Sequence, residues 1–278
     1  MTNVVESPLI GFMATFRILT ILSMRPTLSK KTETSLILGI ETAGNVGGVA
    51  LQKGEDLLDQ ISFRKGMIHG VALLPAIERL LRKHEIRPRD IDAVAVSSGP
   101  GSYTGVRVGA TCAKAFCYAT GMKLVAVATL DAMVENVPKK HDVACPVIDA
   151  RRGDVYACIY RRPDGQWRRT GEVAAEKPDV VARKLPPGTY VLGNGLAKYA
   201  AIFEERGFTV GAERNWWGKA RNVAKLGAAL FREGRFEDPF TFIPTYLRPT
   251  EADLVQMKSN SKRGQTPFVV KGAPGREK

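Results

Sequence analysis

The chain has 278 residues, 44% of them hydrophobic and 25% charged, which excludes a disordered low-hydrophobicity chain and allows about two folded domains. Forty-one basic residues against 28 acidic ones give a net charge of +13 at pH 7, so a phosphate-bearing partner such as RNA is physically reasonable beside the plainer reading of a soluble basic surface. Four cysteines (Cys112, Cys117, Cys145, Cys158) form no C-x-x-C pair and three histidines (His69, His84, His141) show no metal spacing, which speaks for buried thiols in a reducing compartment and against a metal site.

Residues 1–34 contain an apolar run from Leu9 to Leu22, but Glu6 precedes it, Arg17 interrupts it, and fourteen residues are too few to span a bilayer. The segment is expected to be an N-terminal extension, disordered or mis-started, with Met24 as an alternative start; a membrane-surface helix is the lesser reading. From Leu36 the pattern becomes regular. Leu36–Ile40, Val46–Leu51 and Leu57–Phe63 read as strands, and the turn residues Gly44-Asn45 and Lys53-Gly54-Glu55-Asp56 predict an antiparallel meander. A helix follows, on which Val71, Leu74, Ile77, Leu81 and His84 are predicted to share one face. Next come a strand over residues 92–97, a small-residue helix to about Thr120 and a strand at Lys123–Val127, giving the order βββαβαβ.

Strand and small-residue helix meet in Ser98-Gly99-Pro100-Gly101-Ser102-Tyr103-Thr104-Gly105-Val106-Arg107-Val108-Gly109, a tight corner in which Gly99 and Gly101 permit close backbone approach, Pro100 fixes the turn, and Ser102 or Thr104 can cap the helix. The corner admits two readings, a structural strand-to-helix turn or a phosphate cradle at a helix N-terminus. Gly105, Gly109 and Ala113 recur every four residues and permit another helix to approach closely. Together with Val71, Leu74, Ile77 and Leu81 they are the candidate partner interface, the alternative being that both stripes face their own sheet. Arg107, in the first turn of its helix, opposes the helix dipole, which points to an external acidic partner or to a solvated surface arginine.

A second block opens near Asp142. Ala144–Asp149 and Val155–Tyr160 read as paired strands about Arg151-Arg152-Gly153-Asp154, Tyr190–Gly193 as a strand running into Asn194-Gly195, and Asn222–Glu233 as a helix. Residues 170–187 are polar and marked by proline, and the cationic tail beyond Leu254 lacks apolar periodicity and is expected to be disordered. The boundaries drawn from the sequence are an extension at 1–34, a first domain at 35–130, a second at 131–253 and a basic tail at 254–278.

These residues carry a resemblance. Ile37-Leu38-Gly39-Ile40-Glu41-Thr42, His69, the glycine corner, Asp149-Ala150-Arg151-Arg152-Gly153-Asp154-Val155-Tyr156, Gly193-Asn194-Gly195 and Pro244-Thr245-Tyr246-Leu247-Arg248 resemble the TsaB (YeaZ) family of the actin, Hsp70 and sugar-kinase superfamily, over residues 36–249. The resemblance implies an α/β fold of two related domains with mixed sheets, a cytoplasmic location, and participation in making N6-threonylcarbamoyladenosine at position 37 of tRNAs that read codons beginning with A. It further implies a non-catalytic subunit that pairs through its first domain with a TsaD-like catalytic subunit, with a TsaE-like ATPase joining and tRNA reached through the complex; a homodimer in the partner's absence is left open by the sequence. In such a complex ATP and a TsaD-bound metal serve the chemistry, and this subunit binds no cofactor tightly.

Departures from the superfamily pattern bear on this reading. His69 is followed four residues on by Leu73 rather than a second histidine, so the H-x-x-x-H pair of TsaD-like enzymes is absent from that helix. Glu41 stands where superfamily kinases carry aspartate, displacing the carboxylate by roughly one C–C bond, about 1.5 Å. Two other classes stay open: a glycopeptidase-like hydrolase, for which Ser97, Ser98 and Ser102 are nucleophile candidates by residue type only, and a small-molecule kinase of the superfamily.

Overall fold

The computed structural model describes residues 34–63 and 69–248. The readings made for residues 1–33 and for the tail beyond 248 lie outside the described residues.

Strands β1 (Leu36–Glu41), β2 (Gly47–Lys53) and β3 (Asp56–Phe63) form the expected meander, antiparallel throughout, with a register shift at Leu51/Gln52. Helix α1 (His69–Lys83) leads to β4 (Ala93–Ser97), α2 (Tyr103–Thr120) leads to β5 (Lys123–Val127), and both returning strands run parallel to β1. The sheet order is β3-β2-β1-β4-β5.

Alternation along β1 and β4 gives this sheet two apolar faces. Leu38, Ile40, Val94 and Val96 face α1 and α2, where they meet Leu73, Ile77, Leu80 and Ala113. Ile37, Ala93 and Ala95 face the other way and pack with Val223 and Ala228 of α6 (Ala220–Arg232). That placement corrects the sequence boundary. The helix assigned to the second domain covers the first sheet, because Gly39 lets β1 meet the start of α6, where a β-carbon on Gly39 would fall 2.6 Å from the Ala220 carbonyl, and Gly227 lets α6 meet Ala95 of β4. The segment after α6 stays with the first sheet as well, through a bridge between Leu124 and Glu237, the burial of Phe242, and the hydrogen bond from Thr245 N to Ser98 O at 2.8 Å.

The second unit begins at α3 (Thr129–Val134), a short helix not anticipated from the sequence, and is built on β6 (Val143–Asp149). The expected partner strand is broken into β7 (Val155–Ala157) and β8 (Tyr160–Arg161), which pair with opposite ends of β6. Strands β9 (Arg168–Arg169) and β10 (Ala174–Glu176), helix α4 (Pro178–Lys184), β11 (Tyr190–Leu192), helix α5 (Leu196–Glu204) and β12 (Thr209–Val210) complete a mixed sheet ordered β10-β7-β6-β11-β12, with β8 and β9 joined to one end of β6. The polar stretch at 170–187 therefore holds a strand and a helix; Pro178 sits at the first helical position, where no intrahelical N–H is needed. The chain is α/β with two mixed sheets, as expected. Among the described residues no helix is long and apolar enough to cross a membrane.

Candidate functional site

The glycine corner is held from three sides. Ser98 N donates to Val127 O at 2.8 Å, Gly99 N to Thr129 Oγ1 at 3.2 Å, and Ser102 N to Ala43 O at 2.7 Å. Ser102 is the N-cap of α2, its hydroxyl accepting from Gly105 N at 3.3 Å. Gly99 has φ +105°, and a β-carbon there would lie 2.5 Å from the Thr245 carbonyl, so only glycine suits both the conformation and the space. The amides that a phosphate cradle would use at Gly99, Ser102 and Gly105 donate to protein oxygens.

The interface predicted from helical periodicity is partly overturned. Ile77 and Leu81 lie in the core under the first sheet, and the buried face of α1 is Leu73, Ala76, Ile77, Leu80 and Leu81, one notch round the helix from the expected stripe. Gly105, Gly109 and Ala113 are buried too, and they point at β1 and β4: the space beside Gly109 is filled by Thr42 Oγ1 and Val96, and Thr42 Oγ1 donates to Gly105 O at 2.8 Å. The small residues serve close approach, but to the chain's own sheet. Val71 and Leu74 remain on the surface, 70% and 57% exposed. Beside Leu74, a groove of about 550 Å³ runs between α1 and α2, floored by Leu73, Val108, Cys112 and Phe116 and edged by Tyr103 and Arg107. Arg107 is exposed and finds an internal partner, donating to Tyr103 Oη at 2.7 Å with its guanidinium 5.1 Å from that ring's centre. Thr104 is exposed beside it, and Pro100 and Gly101 turn toward a second cavity.

That cavity is a cleft of about 830 Å³ between the two units, which the sequence did not reveal. The glycine corner and Gly44 form one wall, the β6–β7 turn with Arg151 and Arg152 another, and Trp217 with Tyr246 close the sides. Trp217 lies against Gly44, its ring 3.0 Å from where a β-carbon would stand. Behind this wall is Glu41, 1% exposed. Its Oε1 accepts from Ala43 N at 2.6 Å and from the Ser97 hydroxyl at 3.0 Å, while Oε2 is buried with no hydrogen-bond partner. Burial without a counter-charge pushes its carboxyl up from 4.5 to about 7, against the opposing pull of those hydrogen bonds. Glu41 does not line the cleft, since Gly218 covers it.

On the far wall the carboxylates are paired. Asp149 meets Lys198 at 2.8 Å and Arg151 at 3.7 Å, and Asp154 meets Lys177 at 2.7 Å and Arg248. Among the described residues no three His, Cys, Asp or Glu side chains cluster as metal ligands. The serines weighed as nucleophiles are engaged elsewhere: Ser97 on Glu41, Ser98 on the Val127 carbonyl, Ser102 on the helix cap.

Comparison with known proteins follows the same residues. The family model described as TsaD, tRNA N6-adenosine threonylcarbamoyltransferase, matches residues 67–234. The chain is 28% identical over 231 residues to a Bacillus subtilis protein named tRNA threonylcarbamoyladenosine biosynthesis protein TsaB, covering 80% of this chain and 98% of that one. The Escherichia coli protein of the same name is 28% identical over 186 residues, 65% of this chain and 80% of its own. In structure the chain is similar to YeaZ from Pseudomonas aeruginosa, with TM-score 0.69 and 24% identity over 77% of this chain and all of that one.

Proposed function

Because the chain belongs to the threonylcarbamoyladenosine-biosynthesis family, in its TsaB (YeaZ) branch, we propose that it serves the formation of N6-threonylcarbamoyladenosine in tRNA as a subunit without catalytic groups of its own. The transfer chemistry belongs to a TsaD-like partner, with a TsaE-like ATPase completing the assembly. The observation that carries this reading is the outer face of α1 and α2, where Leu74 stands exposed at the edge of an apolar groove and Val71, three residues before it, is exposed as well, while Leu73, Ala76, Ile77, Leu80 and Leu81 are buried. A large apolar side chain exposed at the rim of an apolar groove is a surface suited to be covered by a helix of a related subunit.

The cleft supports a non-catalytic role. Phosphoryl chemistry depends on positioning, and Glu41 is sealed behind Gly218 with Trp217 over Gly44, so a triphosphate reaching for the β1–β2 turn meets an indole instead of an amide pocket. A serine hydrolase would need its nucleophile presented to the cleft, and Ser97 is fully buried on the equally buried Glu41 while the Ser98 hydroxyl is held on a backbone carbonyl. Mass analysis of tRNA adenosine 37 from cells depleted of this chain tests the proposal: loss of the threonylcarbamoyl group, restored by the wild-type chain, is expected, and unchanged modification would contradict it.

A further inference from the structure

The β6–β7 turn has two features the proposed pairing does not use. Arg151 and Arg152 are both in the left-handed region, with φ of +61° and +55°, followed by Gly153 at +81°. Side chains other than glycine, asparagine and aspartate rarely adopt that conformation even singly, and two arginines in succession hold it here on an exposed turn. Strain of this kind persists where the surroundings enforce it, and it gathers at functional sites.

The second feature is charge. Around Asp149 and Asp154 stand Arg151, Lys198, Lys177 and Arg248, so among the described residues each of these two carboxylates is met by two cations. Arg151 is held weakly, 3.7 Å from an Asp149 that Lys198 already engages at 2.8 Å, and its side chain is 83% exposed. Aromatic rings share the cleft. Tyr246 and Tyr103 approach to 5.2 Å between ring centres, and Trp217 lines the same space.

We infer that this cleft is a contact for single-stranded RNA, with Arg151 and Arg152 on successive phosphates and the tyrosine and tryptophan rings offering stacking faces to the bases. The inference rests on the proposed role in tRNA modification for the identity of the RNA. Guanidinium groups and aromatic faces together are what sequence-tolerant binding of single strands requires, and an acidic peptide would use the charge but not the rings. A free nucleotide is disfavoured because Trp217 occupies the approach to Gly44, whereas a phosphodiester strand needs only the open mouth of the cleft.

Fluorescence anisotropy of a labelled ten-nucleotide single-stranded RNA on the full chain tests this. Arg151→Glu/Arg152→Glu should weaken binding at least tenfold and flatten the dependence of log K on log salt by roughly 1.4, for two phosphate contacts on a single strand. Lys139→Glu/Lys140→Glu, the same charge change on another exposed turn, should alter affinity less than threefold. Arg151→Gly/Arg152→Gly should weaken RNA binding while leaving the melting temperature unchanged or higher, since glycine relieves the left-handed turn. Equal losses in the two charge-reversal variants would overturn the inference, as would RNA displaced equally well by a decaglutamate peptide, or ATP or AMP binding lost in the double variant with RNA binding intact. Pairing with a TsaD-like protein, measured on the same samples, separates failure of this inference from failure of the family role: wild type that pairs but binds no RNA contradicts only the cleft.

Discussion

Gly218 stands against the Glu41 carboxylate so closely that Oε2 occupies the space where a side chain at position 218 would begin. The contact explains both residues. Glycine is required because Glu41 fills the space, and Glu41 stays out of the cleft because the Gly218 backbone covers it. Alanine at 218 must push a buried carboxylate toward β1 and is expected to lower stability by about 1–3 kcal/mol, read from chemical denaturation.

The Glu41 carboxyl also sets a pH dependence. Its folded value of about 7 lies above the ordinary 4.5, so between these values the native state holds a proton that the unfolded chain has lost, and its contribution makes stability fall as pH rises through that window. Glu41→Gln keeps a neutral group in place and removes the effect. The variant should match the wild type near pH 4.5 and exceed it by roughly 2–3 kcal/mol at pH 8. Urea titrations at the two pH values check this; a difference that does not grow with pH contradicts it.

Thr42 and Gly109 form a second close contact, with Thr42 Oγ1 in the space beside the glycine and its hydroxyl donating to Gly105 O at 2.8 Å. Gly109→Ala should cost about 2–3 kcal/mol through overpacking, and Thr42→Ser, which keeps the hydroxyl, should not relieve it. A Gly109→Ala chain as stable as wild type would mean that α2 stands farther from β1 than described.

The return of the chain to the first sheet is stitched by Asn222, whose buried amide donates to Ala132 O at 2.9 Å and to Asn136 Oδ1 at 3.0 Å, while Asn136 donates to Trp217 O at 2.7 Å. Asn222→Ala leaves the Ala132 carbonyl and the Asn136 Oδ1 short of a donor and should cost about 2 kcal/mol. Trp217 should become more accessible to a fluorescence quencher in the variant, because its carbonyl shares this network.

The meander was legible because turn residues at Gly44-Asn45 and at 53–56 punctuate apolar runs, and two hairpins follow from that punctuation. The helices α1, α2 and α6 were legible as helices, but not in what they face. A stripe of small residues such as Gly105, Gly109 and Ala113 declares a close neighbour without saying whose; the neighbour is Thr42, 63 residues from Gly105 in sequence. For the same reason the amphipathic helix at 220–232 fits either sheet on pattern alone, and the close contacts of Gly39 with Ala220 and of Gly227 with Ala95 put it against the first. Helix α3 was missed because six residues between two strands carry too little periodicity. The cleft assembles residues from both units, and the left-handed turn at Arg151 and Arg152 has no signal in residue types that ordinarily avoid it.

The outer face of α1 and α2 is the proposed pairing surface. Val71→Glu/Leu74→Glu changes two exposed positions and leaves Ile77, Leu81 and the core untouched. Co-expression of this chain with the TsaD-like protein of the same organism, followed by size-exclusion chromatography with light scattering, measures the claim directly. The wild-type chain should co-elute with its partner, and the double variant should elute alone with a melting temperature within a few degrees of wild type. A double variant that is folded and still co-elutes would show that pairing uses a different face.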